Sequence, residues 1–345
     1  MRANFRGTLT LNLPLTQLDD WQSLLSHTLD DPAELLHRLA LPETLLAAAR
    51  EAAGDFPLRI PLPYLTRIRK GDPDDPLLRQ VLPLGAERIA VPGYVTDPLA
   101  EADANHRDGL IHKYRRRVLL ILTGACAINC RYCFRRHFPY DDNRLGPDQW
   151  RGVLDYLHAH PEVNEVIFSG GDPLATSDKR LARFIADLEQ IPHLTRLRIH
   201  SRLPVVIPQR VTDSLIDTLT GSRLKPVLVL HVNHGNEIDG EVEHALGRLR
   251  RAGVTLLNQS VLLRGVNDNV AALRDLSERL FDAGVLPYYL FVLDAVAGAA
   301  HFDVPDDEAR GLVLELQREL PGFLVPRLAR EIPGRPAKTL LGLPE

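Results

Sequence analysis

The chain has 345 residues, 45% of them hydrophobic and 25% charged, with a formal net charge of −4. That composition suits a globular protein with a large core. It gives no overall attraction to nucleic acid or to an anionic membrane surface. No apolar run approaches the roughly 18 residues of a membrane span. The opening MRANFRGTLTLNLPLTQLDDW lacks the apolar stretch and cleavage site of a secretion signal, so a cytoplasmic protein is expected.

Residues 1–110 read as a mostly helical N-terminal region. Segments 20–28 and 32–53 have helical spacing, with Leu35, Leu36, Leu39 and Leu46 sharing a face with Leu45 and Ala49. Pro57, Pro61 and Pro63 then punctuate the chain, and 71–83 reads as a turn and a short helix.

From Val118 a regular alternation begins. β-Branched or leucine-rich runs at 118–123, 163–169, 194–201, 227–233, 254–263 and 285–294 read as strands. Amphipathic stretches separate them. In 269–284, Asn269 is the expected N-cap, Val270, Leu273, Leu276 and Leu280 form the buried stripe, and Gly284 ends the helix. Six strand–helix units predict an α/β fold, a partial (β/α)6 barrel over 111–320, with an open doubly wound sheet as the alternative. The remaining 321–345 form a C-terminal segment, in which 331–345 need not hold a regular element.

Polar residues gather at the strand ends. The first strand runs into a cysteine loop. The second ends in Ser169-Gly170-Gly171-Asp172, the third in His200-Ser201-Arg202 and the fourth in His231-Val232-Asn233-His234. The fifth carries Asn258-Gln259-Ser260 and the sixth ends at Asp294. In parallel α/β barrels this rim is the catalytic face.

The only three cysteines, Cys126, Cys130 and Cys133, fall within eight residues. That spacing is too short for a disulfide framework and points to a metal centre. Three thiolates on a 4Fe–4S cube leave one iron open. An open iron can be chelated by the amino and carboxylate groups of S-adenosylmethionine, whose cleavage starts radical chemistry. The rival reading is zinc, with His137 completing a Cys3His site in a non-enzymatic interaction module.

The Cys-x3-Cys-x2-Cys spacing, with Tyr132 before the last cysteine, resembles the radical S-adenosylmethionine superfamily. Ser169-Gly170-Gly171-Asp172 is similar to the glycine-rich motif with which that superfamily holds the methionine amino group. Further along, HKYRRRVLLILTGACAINCRYCFRRHF, FSGGDPL, LRIHSRLPVVIPQR, LLNQSVLLRGVND and PGRPAK resemble the lysine 2,3-aminomutases across 110–338. KGDPDDPLLRQVLP and RRHFPY look most like the bacterial branch that makes (R)-β-lysine for elongation factor P.

The resemblance implies an isomerase that moves the amino group of L-lysine from carbon 2 to carbon 3. It would use a 4Fe–4S cluster, S-adenosylmethionine and pyridoxal 5′-phosphate. Lys338 would carry the pyridoxal phosphate, although Arg335, Pro336 and Ala337 stand where the family has a run of glycines. Lys113 and Arg117 would hold the cofactor phosphate, with Tyr114 against the ring. Lys113 stands where arginine is usual. Arg135 would pair with the substrate carboxylate, and Asp294 and Glu331 with its far ammonium. Glu331 replaces the usual aspartate. His231 and Gln259 would contact S-adenosylmethionine. Implied partners are an electron donor such as flavodoxin or ferredoxin, elongation factor P and its lysyl-transferring ligase. No nucleic acid or membrane is implied. The short stretch after Lys338 leads us to expect a monomer or dimer. The alternatives within this resemblance are a radical enzyme without pyridoxal phosphate, or an aminomutase serving free β-lysine metabolism.

Overall fold

The computed structural model describes residues 20–343. Its centre is a run of parallel strands: β1 (Arg117–Thr123), β2 (Glu165–Gly170), β3 (Arg196–Ser201), β4 (Lys225–Leu230), β5 (Thr255–Val261) and β6 (Leu286–Phe291). Each pairs in parallel with the next in chain order. A seventh strand, β7 (Arg327–Arg330), joins β6 in parallel. The sequence expectation stopped at six, because RLAR offers only Leu328 and Ala329 as buried positions, too short a run to signal a strand. Helices α1 (Pro147–Ala159), α2 (Asp178–Glu189), α3 (Asp213–Thr220), α4 (Gly240–Arg251), α5 (Val270–Asp282) and α6 (Asp306–Glu319) fall between successive strands.

Local chemistry explains these elements. β2 is buried without interruption from Val166 to Gly170, as expected of a parallel strand covered on both faces. Asn269 caps α5 by accepting from Ala272 N at 2.9 Å. Leu273, Leu276 and Leu280 face inward, and Gly284 ends the helix at φ +80°, a conformation that glycine adopts without steric cost.

The sheet is extended antiparallel at both ends. Leu110–Tyr114 pairs with β1, and Asn105–Arg107 lies outside it. At the other end Thr339–Leu340 pairs with β7. The tail, which the sequence left without a required regular element, holds this short strand because the chain turns back at Gly334 (φ +75°) onto the free edge of β7. The ten strands form an open order, not a closed ring. The expected partial barrel stands, with one more parallel strand.

The N-terminal region contributes Trp21–Ser26, Pro32–Arg38 and Leu46–Asp55 as helices. The stretch 32–53 is not one helix. It breaks where Ala40 takes φ +52° ahead of Pro42. Leu35, Leu36 and Leu39 pack in one core with Leu120, Phe168 and Leu228 of the barrel. Among the described residues no helix is long and apolar enough to cross a membrane.

Candidate functional site

A cavity of about 850 Å³ lies against the carboxyl ends of the strands. The residues that the family resemblance assigns to cluster, cofactors and substrate all border it, whereas His137, Asn233, His234, Asn258 and Ser260 do not. Cys126, Cys130 and Cys133 form one wall, while Lys113, Tyr114, Arg117, Asp294, Glu331 and Lys338 lie among its other lining residues. Lys113 comes from the strand before β1 and Glu331 directly follows β7. Lys113 Nζ meets Glu331 Oε1 at 3.0 Å. A side-chain ion pair, not strand pairing, thus links the two ends of the open barrel.

The cysteine loop is pinned from the N-terminal region. Arg131 is fully buried beneath it. Its guanidinium donates to Glu87 Oε1 at 2.8 Å, Glu87 Oε2 at 2.6 Å and Phe56 O at 2.8 Å. Arg136 Nη2 also donates to Glu87 Oε2, at 2.9 Å. Backbone bonds from Asn129 N to Arg59 O and from Arg131 N to Gln80 O complete the clamp. The buried arginines keep this geometry because losing the shared carboxylate would leave two charges unpaired in the interior. The thiols are half-buried and unpaired. Burial first, and neighbouring cysteines second, raise Cys126 well above the ordinary thiol value and Cys133 to about 11.

Gly170 and Gly171 sit directly on this loop. A Cβ at Gly170, where φ is +126°, would lie 2.5 Å from Thr123 O, and one at Gly171 would lie 2.5 Å from Ala125 O. No other residue fits such contacts. Gly171 N and Asp172 N donate to Thr123 O and Ala125 O, both at 2.8 Å. The Asp172 carboxylate turns away to bind Ser201 Oγ at 2.7 Å and the N–H groups of Arg202, Leu203 and Leu174. It thereby fixes the turn after β3.

His231 and Gln259 meet each other, Nε2 to Nε2 at 3.1 Å. Burial, reinforced by the positive charge of Arg202, lowers His231 to about 3, so its ring is neutral. The Gln259 amide thus faces the neutral ring.

Arg135 is buried, not a surface arginine. Its Nε and Nη2 grip Glu101 at 2.7 and 2.8 Å, and Nη1 donates to Ser169 Oγ at 2.9 Å. Glu101 comes from a loop tied to the segment after β6 by the Val95–Val296 bridge. Lys338 Nζ lies 2.7 Å from Glu331 Oε2 and 4.5 Å from the centre of the Phe291 ring. Burial opposes ionisation of Glu331, but the ammonium groups of Lys338 and Lys113 outweigh it and hold the carboxyl down at about 2. Asp294 goes the other way. Burial first, and Glu331 second, raise it to about 7. Arg117 stacks over the Tyr114 ring at 4.1 Å. Burial and Glu331 push the Tyr114 hydroxyl up.

Sequence reasoning missed Glu101 and Glu87 and assigned no partner to Arg202. A glutamate in a loop (Glu101) or in a single 3-10 turn (Glu87) carries no periodic signal, and only the fold brings it to its arginine.

The residues fit the implied groups. Three soft thiolate donors suit iron and sulfide, and binding iron would relieve their mutual repulsion. His137 is not drawn toward them; its Nε2 contacts Ala297 O at 3.1 Å. A Cys3His zinc site would need His137 turned toward the thiols, and its ring is engaged elsewhere. The cavity wall also holds Arg198 Nε and His200 Nε2, both buried without a hydrogen-bond partner in the protein. Such orphaned donors and acceptors suit a polar ligand.

Residues 120–276 match the Radical SAM superfamily. The chain is 54% identical over 336 residues to the L-lysine 2,3-aminomutase of Escherichia coli (strain K12), covering 97% of each chain. It is 52% identical over 321 residues to the L-lysine 2,3-aminomutase of Haemophilus influenzae, covering 93% of this chain and 95% of that one. With the L-lysine 2,3-aminomutase of Clostridium subterminale it shares 36% over 323 residues, 93% of this chain and 77% of that one. Similarity of this extent, together with the cysteine loop and the glycine turn packed against it, shows that the chain belongs to the lysine 2,3-aminomutase family of the radical S-adenosylmethionine superfamily.

Proposed function

We propose that this protein converts L-lysine to (R)-β-lysine, with a 4Fe–4S cluster, S-adenosylmethionine and pyridoxal 5′-phosphate as cofactors, and that the product serves elongation factor P. One observation carries the reading: Lys338, two opposed acids and the three thiols share one cavity, although 205 positions separate Cys133 from Lys338 (338 − 133). When bound, the cofactors supply radical initiation and stabilise an unpaired electron beside the migrating nitrogen.

The chain's own residues bind, orient and exclude water. Cys126, Cys130 and Cys133 hold the cluster, and Gly170 and Gly171 leave room beside it for S-adenosylmethionine. Ser169 borders that space, with the backbone turn of Asp172, His231 and Gln259. Neutral His231 suits contact with a neutral sugar or base more than with an anion. Lys338 is the attachment point for pyridoxal phosphate; Lys113, Arg117 and Tyr114 receive its phosphate and ring. Arg135 holds the substrate carboxylate, while Asp294 and Glu331 hold the distant ammonium. Opposite charges at the two ends fix which carbon faces the radical.

In this reading, binding exchanges ion pairs. Glu331 is held by the ammonium groups of Lys338 and Lys113. A phosphate claims Lys113, and a substrate ammonium takes the place left on Glu331. The electron donor belongs to the flavodoxin or ferredoxin class, and the protein works in the cytoplasm, where thiols stay reduced. The test is anaerobic reconstitution with iron, sulfide and pyridoxal phosphate, followed by product analysis on L-lysine. Formation of (R)-β-lysine is expected. Iron-loaded protein with no pyridoxal absorbance and no β-lysine would overturn the assignment.

A further inference from the structure

Arg202 is the residue that the proposed chemistry leaves unused. It follows β3, is 5% exposed, and its guanidinium lies between Cys130 and a buried carboxylate. Nη1 donates to Cys130 Sγ at 2.7 Å. Nη2 donates to Glu237 Oε2 at 2.8 Å, to Gln80 Oε1 at 2.7 Å and to Tyr64 OH at 3.3 Å. Its backbone N–H is held by Asp172 Oδ2 at 2.8 Å.

The partners on the far side are themselves locked. Glu237 Oε1 accepts from Asn233 N at 2.9 Å, His234 N at 3.1 Å and Gln80 Nε2 at 3.2 Å. Glu237 is fully buried and Gln80 equally so. The two hydrogens of Nη2 are shared among these three acceptors, chiefly Gln80 and Glu237, which orients the planar fork so that Nη1 meets the sulfur. Arg202 itself is buried, and with Cys130 it borders the cavity.

We propose that Arg202 is a positioning residue that acts through Cys130: it orients that sulfur and raises the reduction potential of the cluster. The inference rests on the reading that the three cysteines hold a 4Fe–4S cluster. A charge-assisted N–H···S bond draws electron density from the ligand, and a nearby cation favours the more negative, reduced cluster. Glu237 opposes this from the far side of the guanidinium. The two residues therefore shift the potential in opposite senses, which general damage to the fold would not do.

The experiment is an anaerobic redox titration with dithionite, read by electron paramagnetic resonance, on reconstituted full-length protein. Iron and sulfide content is measured first. Wild type without a cluster would overturn the cluster reading itself, and this inference with it. With the cluster present, Arg202→Met is expected to lower the midpoint by about 59 mV or more, tenfold in the one-electron equilibrium. Arg202→Lys, which keeps the charge but loses the fork, is expected to fall between Arg202→Met and wild type. Glu237→Gln is expected to move the midpoint upward. If Arg202→Met fails to retain its cluster, Arg202→Lys and Glu237→Gln decide. A midpoint equal to wild type in Arg202→Lys, or unchanged or lowered in Glu237→Gln, would overturn the inference. So would a weakened affinity for S-adenosylmethionine in Arg202→Met at an unchanged midpoint.

Discussion

The cysteine wall of the cavity is held by protein groups committed to one another, whereas the opposite wall is held by groups that a ligand would take over. Around the cysteines, Arg131, Arg136, Arg202 and Asp172 spend their hydrogen bonds inside the protein, on Glu87, Glu237, Ser201 and backbone carbonyls or amides. Around Lys338, the bonds join side chains to side chains: Lys113 and Lys338 each to Glu331, and Arg135 to Glu101. The first arrangement suits a resident centre that must not shift. The second suits small molecules that come and go, since the lysine ion pairs to Glu331 can be exchanged for pairs to a ligand.

Four measurements test this contrast, beginning with the largest effect. Lys338→Ala should lower β-lysine formation by about 10⁴-fold, the scale seen when a group that acts in concert with others is removed. Iron content should stay at the wild-type level. Isomerisation near the wild-type rate would remove Lys338 from its assigned place.

Glu87→Ala tests the cysteine wall through stability. It leaves Arg131 and Arg136 buried without their carboxylate, which should cost about 3–5 kcal/mol. Thermal unfolding should show a large drop, and cluster retention should fall with it. A melting temperature near that of wild type would mean that the loop is held by something other than this pair.

Glu101→Gln tests whether the Arg135 guanidinium is held in place or competed for. Loss of the buried pair should raise KM for L-lysine by about 10- to 100-fold, with kcat changed far less. A fall in KM would show instead that Glu101 occupies the position of the substrate carboxylate.

Asp294 gives the smallest effect, seen as a pH profile. Its carboxyl is raised to about 7, by burial and then by Glu331. An ammonium requires the ionised form, so KM for L-lysine should rise as pH falls through about 7, by about tenfold per unit below it. Lys338, Lys113 and Glu101 face the same group and set where the change falls. The linkage to stability has the opposite sense. A carboxyl raised in the fold is least costly when protonated, so its penalty grows as pH rises from the ordinary value toward about 7. Asp294→Asn should therefore stabilise the ligand-free protein at neutral pH, on the order of 1–3 kcal/mol. It should also flatten the KM profile.

Much of this was legible before the fold. The period of the strands and the caps of α5 followed from apolar spacing and from Asn269 and Gly284, which are local signals. β7 escaped because four residues with two buried positions make no pattern. The Thr339–Leu340 strand escaped because its only support is the edge that β7 presents. The glycines at 170 and 171 were visible as a turn, but the reason no side chain fits there, the backbone of the cysteine loop, was not.

The sequence by itself determined the chemistry that needs only neighbours along the chain: three thiols within eight residues, a parallel strand–helix order, and polar residues at the strand ends. Tertiary structure decided what depends on residues far apart. It brought Lys113 to Glu331 across 218 positions, Arg131 to Glu87, and Glu101 to Arg135. The reason is physical. A buried charge must find a partner in space, and nothing in the spacing of a sequence records which distant carboxylate will be there.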